Sequence, residues 1–431
     1  MSDQVSKSIK WIIRRWDLGL LLVAMLASLS YESPPAGDLD AYISRLLVGE
    51  QFDFAGWEIQ ALLDKLTHTL VSPQRYMDEQ SRHDFVLDYL EVVAEIQRVE
   101  WEINRVYTDP AETDPEAATV SLRAQLEKLR KEEEAQQVLA EAILQEQTSI
   151  VLINEGFGLL GQELPPIGIH FTPLPALLIV SPRDRIERIS SLGLRHGLDA
   201  ARREAIEGQV DASRDVSSLI TNIGGLSAYP AMLLESSSLG WVAEVTAHEW
   251  THHYLMPLPL GWNYDAAPET RTINETVASI VGKEASQHLL VRYYPEFLPP
   301  EPEPEDLEEI EGEIPPPEPP AFDFRLEMRK TRIRVDGLLA EGKIEEAEAY
   351  MEERRQEFVA QGYYIRKLNQ AYFAFHGAYA DEPGAAGDDP IGPAVQELRA
   401  RSPNLHAFVV QVARITTLAE LQASLEAPSE P

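Results

Sequence analysis

His248-Glu249-Trp250-Thr251-His252 constrains this chain more than any other five residues. Two histidines four positions apart can reach one ion only if the backbone between them is helical, where i and i+4 stand about 40° apart on one face. The surrounding segment meets that demand. Leu239 to Leu255 has no proline and, after Gly240, no glycine, and Ser236-Ser237-Ser238 offers N-terminal caps. Glu249 lies beside the histidine face, where it can hold a water and take its proton. With ten histidines in 431 residues, chance would produce the pattern in roughly 2–3% of such compositions, so it is read as a site. Ala243 and Ala247 lie on another side and allow close approach of other backbones. His253 points about 100–140° away from the pair and is expected not to be a ligand.

Catalytic zinc usually takes three protein ligands and keeps a fourth position open. The third candidate is Glu275 in Asn274-Glu275-Thr276-Val277-Ala278-Ser279, on a helix expected from about Arg271 after the loop 257–270. On that helix Glu275 shares a face with Ala278, Ser279 and Gly282, small residues that permit close packing on the histidine helix. Ile273, Val277, Ile280 and Val281 point the opposite way, into a core. Glu284 faces away from Glu275, and Glu269 and Asp265 in the loop remain rivals. Two histidines and one carboxylate favour zinc, one ion per chain, with His248, His252 and Glu275 as its ligands.

Lys and Arg number 37 against 71 Asp and Glu, a net charge of −34. Such a charge repels nucleic acid and anionic lipid, so no nucleic-acid partner is expected. The chain has no cysteine, which excludes thiolate metal sites, thiol catalysis and disulfides. At the start, Lys7, Lys10, Arg14 and Arg15 precede the apolar run Leu18 to Leu29. That is the layout of a secretory signal, with Ser28 and Ser30 suited to the positions before a cleavage point at Tyr31. The run falls short of the roughly 20 residues of a membrane span, yet Trp16 and Tyr31 could hold residues 12–31 as a tether. Either reading, 1–31 as signal peptide or as membrane anchor, places the body outside the cytoplasm, secreted or anchored.

Residues 32–160 read as a helical domain. Phe85, Tyr89, Val92, Val93, Ile96, Val99 and Ile103 mark one face of a long helix. The stretch Thr108-Asp109-Pro110 to Thr113-Asp114-Pro115 breaks it, and Leu122, Leu126, Leu129, Val138, Ile143 and Leu144 mark a second helix, which makes a hairpin. Further on, Ala176-Leu177-Leu178-Ile179-Val180 between prolines reads as a buried strand. A helix is expected from Asp184 to about Val210, and a second strand over Gly224 to Leu234, with Pro230 tolerable at a sheet edge. Residues 298–321 carry nine acidic residues from Glu301 to Glu318 and no Lys or Arg, which is the composition of a disordered, acidic, proline-rich insertion. A charged helical pair follows from Arg325 to Phe358, turning at Glu341-Gly342-Lys343. The apolar stretches Gly362 to Ala380 and Leu405 to Ile415 are expected to rejoin the core, and 421–431 to form a tail. An amide hydrolase needs a donor to the oxyanion, and Tyr372, His376 and Tyr379, at i, i+4 and i+7, are the candidates, with Tyr379 and His376 ahead. An aromatic core stripe is the plainer reading of each.

His248-Glu249-x-x-His252 followed by Asn274-Glu275-x-x-Ala278 resembles the gluzincin metallopeptidases, the thermolysin-like clan, and more narrowly bacterial envelope zinc aminopeptidases. Leu368-Asn369-Gln370-Ala371 running into Tyr379 is similar to a segment of the latter. The resemblance covers roughly residues 165–297 and 322–415. It implies a helix-rich α+β fold with a zincin-like catalytic core over 161–297, completed by a C-terminal helical part at 322–420. It also implies zinc on His248, His252 and Glu275, with Glu249 as general base and a peptide or protein as substrate. Ser279 stands where thermolysin-like enzymes have a carboxylate, and no Gly-x-Met-x-Asn-type motif precedes the histidine helix. The alternatives are a zinc hydrolase of another amide or ester, such as a cell-wall peptide, and a non-catalytic metal-binding envelope protein.

Overall fold

The structure, a computed structural model, describes residues 37–69, 72–109, 111–298 and 322–426. The expected leader over 1–31, the acidic insertion and the end of the tail lie outside the described residues. The chain divides into two units, one up to Gly49 and one from Glu50 onward. In the first, the helix Leu39–Leu46 is capped by Asp38, whose carboxylate accepts from Ala41 N at 2.7 Å. Everything below concerns the second unit, which is helix-rich with small sheets, an α+β architecture.

The hairpin forms as its periodicity demands. Its helices are Glu79–Thr108, capped by Asp78, and Val120–Leu152. Between them, Asp114 caps a helical turn over Pro115–Ala118. Val86, Tyr89, Leu90, Val93, Ile96 and Val99 form the buried stripe of the first helix. Most of these residues share one apolar core with Ile143 and Leu144 of the second and with Trp250, Val277 and Phe408 far along the chain.

Eight strands follow among the described residues. A minimal hairpin of β1 (Gly158–Leu159) and β2 (Gln162–Glu163) precedes two three-stranded sheets. In the antiparallel sheet, β4 (Ala176–Pro182) lies between β5 (Ser190–Leu194) and β6 (Val216–Thr221), with Ile179 facing Ser191 and Leu219. The run Ala176 to Val180 is central and buried, as its lack of polar residues requires. In the other sheet, β8 (Ala231–Leu233) pairs in parallel with β3 (Ile169–Phe171) and antiparallel with β7 (Gly225–Leu226), so β7 is an end strand.

The other flank of β3 meets side chains of the second hairpin helix in place of a strand. Gln145 Oε1 accepts from Ile169 N at 2.8 Å, Glu141 Oε1 accepts from Phe171 N at 2.7 Å, and Gln137 Nε2 donates to Phe171 O at 2.7 Å. Three side chains spaced by one helical turn thus do the work of a neighbouring backbone.

Two expectations change here. The helix expected from Asp184 to Val210 is β5 followed by the helix Ala200–Arg214, because Ser190 to Leu194 finds a backbone partner in β4 and Asp199 begins the helix by capping Arg202 N. The single strand expected over 224–234 is β7 and β8, folded back around 227–230. β6 carries two serines among its apolar residues and escaped the pattern altogether.

The histidine helix, Leu239–Leu255, packs along the helix that carries Glu275, Pro268–Tyr293. Gly282 allows this: a methyl group there would sit 2.8 Å from Glu244 O and 3.3 Å from His248 Cβ. Ser286 Oγ donates to Gly240 O at 2.8 Å further along the same contact. After the insertion come Phe324–Ala340 and Ile344–Ala360, a pair with its own core of Met328, Val335, Leu338, Met351 and Phe358. The short helix Gln370–His376 lays Ala371 on Ile179 and Leu219 of the antiparallel sheet. Ile391–Arg401, Leu405–Val412 and Leu418–Glu426 complete the unit, and Leu421, expected in a tail, is fully buried in the last of these. Among the described residues no helix is long and apolar enough to cross a membrane.

Candidate metal centre

The two packed helices bring His248, His252 and Glu275 together. His248 Nε2 and His252 Nε2 are 3.1 Å apart, and Glu275 Oε2 lies 3.4 and 3.6 Å from them. Donors held about 2.0–2.1 Å from a tetrahedral zinc stand about 3.3 Å from one another, so this triangle has the size that one ion requires. Glu275 Oε2 is buried and, apart from the two histidine nitrogens, has no polar partner among the described residues, so its charge must be answered within this triangle, by protonated histidine or by a bound cation. The donor set therefore fits a divalent ion of the zinc type.

Two of the three candidate ligands are held from behind. His252 Nδ1 donates to Asn274 Oδ1 at 2.8 Å, while Asn274 Nδ2 donates to Leu260 O, which fixes the amide orientation and leaves Nε2 of the histidine for a metal. The Tyr264 hydroxyl donates to Glu275 Oε1, turning Oε2 toward the histidines. Burial would lower the His252 pKa, but the adjacent Glu275 charge outweighs it and raises it to about 9. Burial works against ionisation of Glu275 as well, and the two histidines hold it ionised, well below the usual carboxylate range.

Glu249 projects from the same helix toward β7 and is 6% exposed. Ser227 Oγ donates to its Oε2, and a Cβ at 225 would sit 2.2 Å from Glu249 Oε1, so any side chain there would displace the carboxylate from this position. These groups line a cleft of about 530 Å³, whose wall includes Gly225, Leu226 and Ser227 of the β7 edge. His253 is turned out of the ligand set, with Nε2 donating to Ala228 O at 2.8 Å. The rivals of Glu275 are engaged elsewhere. Glu269 accepts from Leu418 N, Glu284 forms a two-pronged pair with Arg399, and Asp265 accepts from Arg188 and Arg271.

The three candidate oxyanion donors separate. The helix Gln370–His376 ends at Gly377, so the i+7 relation that put Tyr379 on the face of Tyr372 and His376 does not extend that far. Tyr379 reaches the cleft from the turn beyond and lies parallel to His248, centroids 6.3 Å apart. It is 37% exposed at the cleft. Even so, burial of its hydroxyl, then the Glu275 charge, push its pKa well above the ordinary phenol value, so it stays a donor. His376 does not line the cleft; it stacks on Tyr372 at 4.3 Å, and burial lowers its pKa to about 4. Tyr264, Ser227, Arg188 and Arg271 were not anticipated as part of the site. They come from turns, a strand terminus and a helix start, where no periodicity marks them, and Asn274 was legible only as the residue before Glu275. No protein-family model matches this chain, and no curated protein and no solved structure matches it either.

Proposed function

We propose that this chain is a zinc metallopeptidase with a zincin-like catalytic core, its zinc held by His248, His252 and Glu275. The observation that carries the reading is the triangle of donors of single-ion size, in which Glu275 Oε2 has no polar partner but the two histidines among the described residues, beside a positioned carboxylate in an open cleft. When bound, zinc supplies an open coordination position and Lewis acidity for a water and a scissile carbonyl. Glu249, oriented by Ser227, accepts the proton of the attacking water and returns it to the leaving amine. Tyr379, kept protonated by burial, donates to the oxyanion; His376, outside the cleft, does not take that role. The end strand β7 offers its outer edge to an extended substrate backbone. Residues 12–31 would deliver the body outside the cytoplasm, secreted or anchored, where peptide or protein substrates meet it.

The test is metal content and peptide hydrolysis on the purified protein, with Glu249→Gln beside the wild type. About one zinc per chain in both, with turnover lost only in the variant, is the expected outcome. Hydrolysis that survives Glu249→Gln would remove the general-base mechanism, and a fully metal-loaded wild type that cleaves no peptide would move the reading to another amide or ester.

A further inference from the structure

Beyond the metal ligands, the cleft wall holds two guanidinium groups that the reaction above does not use. Arg188 Nη2 and Arg271 Nη2 both donate to Asp265 Oδ1, at 2.7 and 2.9 Å. Among the described residues Asp265 is the one carboxylate within ion-pair distance of either arginine. Its side chain is 74% exposed, so water shares it. Arg271 is 7% exposed, and its Nε has no hydrogen-bond partner. Two cations answered by one solvated anion leave an excess positive charge at a concave, partly dry surface. That arrangement is costly unless an anionic ligand completes it.

The same corner touches the metal centre through a single ring. Both guanidinium carbons lie over the Tyr264 ring, 5.6 and 5.7 Å from its centroid, and the Tyr264 hydroxyl holds Glu275. A group seated on the arginines therefore shares the cleft with the candidate metal ligands, joined to them through Tyr264. Planar guanidinium forks match a carboxylate with paired hydrogen bonds, and they suit it better than a neutral amide.

We propose that Arg188 and Arg271 form a carboxylate-recognising subsite, so that the substrates are peptides carrying a carboxylate close to the scissile bond. The carboxylate is either an acidic side chain or the free C-terminus. This inference rests on the peptidase reading and gives its substrate class. Asp265 occupies the arginines when no substrate is bound and competes with the incoming group.

The experiment uses zinc-loaded full-length protein and four N-acetylated octapeptide sets: Glu against Gln at each position with amidated ends, and free acid against amide at the C-terminus. Wild type should favour the carboxylate form in one arm by about tenfold or more in kcat/KM, as expected for a charge-assisted pair. The arm that shows the preference identifies the source. Arg188→Gln should bring the ratio to within about twofold, and Arg188→Lys should retain part of it. Asp265→Asn, at an exposed position, should raise the ratio by removing the competitor; a purely structural role for the triad would leave it unmoved.

Equal cleavage of both forms in both arms, or a preference unchanged in Arg188→Gln and Asp265→Asn, overturns the subsite while leaving the peptidase reading intact. If neither these peptides nor their counterparts with a free N-terminal amine are cleaved, the peptidase reading fails. The same peptides titrated calorimetrically then decide the subsite alone: tighter binding of the carboxylate forms, lost in Arg188→Gln, supports it, and equal binding overturns it.

Discussion

Glu141 offers the most quantitative test of how this fold is held together. Its side chain is fully buried, yet it is ionised, because it accepts from Lys65 Nζ at 2.9 Å, Gln137 Nε2 at 2.8 Å and Phe171 N at 2.7 Å, with His170 Nδ1 at 3.1 Å. Burial alone would raise its pKa; the Lys65 charge and the donors around it overcome that and hold it at about 2, below the ordinary carboxylate range. A carboxylate held this far below its ordinary range stabilises the folded state by on the order of a few kcal/mol. Breaking a buried ion pair by removing one partner typically costs about 3–5 kcal/mol, which agrees. The folded pKa is depressed, so the contribution is complete above about pH 4.5 and is lost as pH falls through about 2. Glu141→Gln should therefore lower unfolding stability by about 3 kcal/mol at pH 7, read by urea denaturation with tryptophan fluorescence. The gap between variant and wild type should narrow steadily between about pH 5 and pH 2. A loss under about 1 kcal/mol at pH 7, or a gap that does not change with pH, would refute the assignment of this charge as a structural anchor of β3.

Three further outcomes follow from the site. Asn274→Ala should weaken zinc binding by about 10–100-fold in a chelator competition, because His252 loses the acceptor that orients its ring. Tyr379→Phe should lower kcat by about 10²–10³-fold with zinc content unchanged, whereas His376→Ala should leave kcat untouched and report only in the melting temperature. Gly282→Ala should cost about 1–3 kcal/mol in denaturation and also reduce zinc occupancy, since the added methyl meets Glu244 O and the Cβ of His248 together.

What could be read ahead of the structure was set by local periodicity. The hairpin declared itself because Tyr89, Val93, Ile96 and Val99 repeat with the helical period and the two Asp-Pro pairs between 109 and 115 break it. The grouping of His248, His252 and Glu275 was legible for the same reason: the histidines are one turn apart, and Glu275 is the carboxylate on the small-residue face of the next long helix. β5 and β6 were not legible. Ser190-Ser191-Leu192-Gly193-Leu194 and Val216-Ser217-Ser218-Leu219 become strands only because β4 lies between them, a pairing that spans up to about forty residues of chain.

The same division runs through the candidate site itself, and it explains why the proposed recognition groups stayed hidden when the candidate ligands did not. A metal needs donors at fixed separations of about 3.3 Å, which a helix provides within one turn, so its ligands leave a spacing in the sequence. The supporting groups need only direction and charge, and these can arrive from anywhere. Tyr264 reaches Glu275 from the loop between the two site helices. Arg188 comes from the turn before β5, 77 positions from its partner Asp265. Tyr379 enters after a helix has ended, so it reaches the cleft without sharing a helical face with Tyr372 and His376. Chemistry that depends on one short helix is therefore readable as a motif, while specificity assembled from turns becomes readable only when the turns are placed.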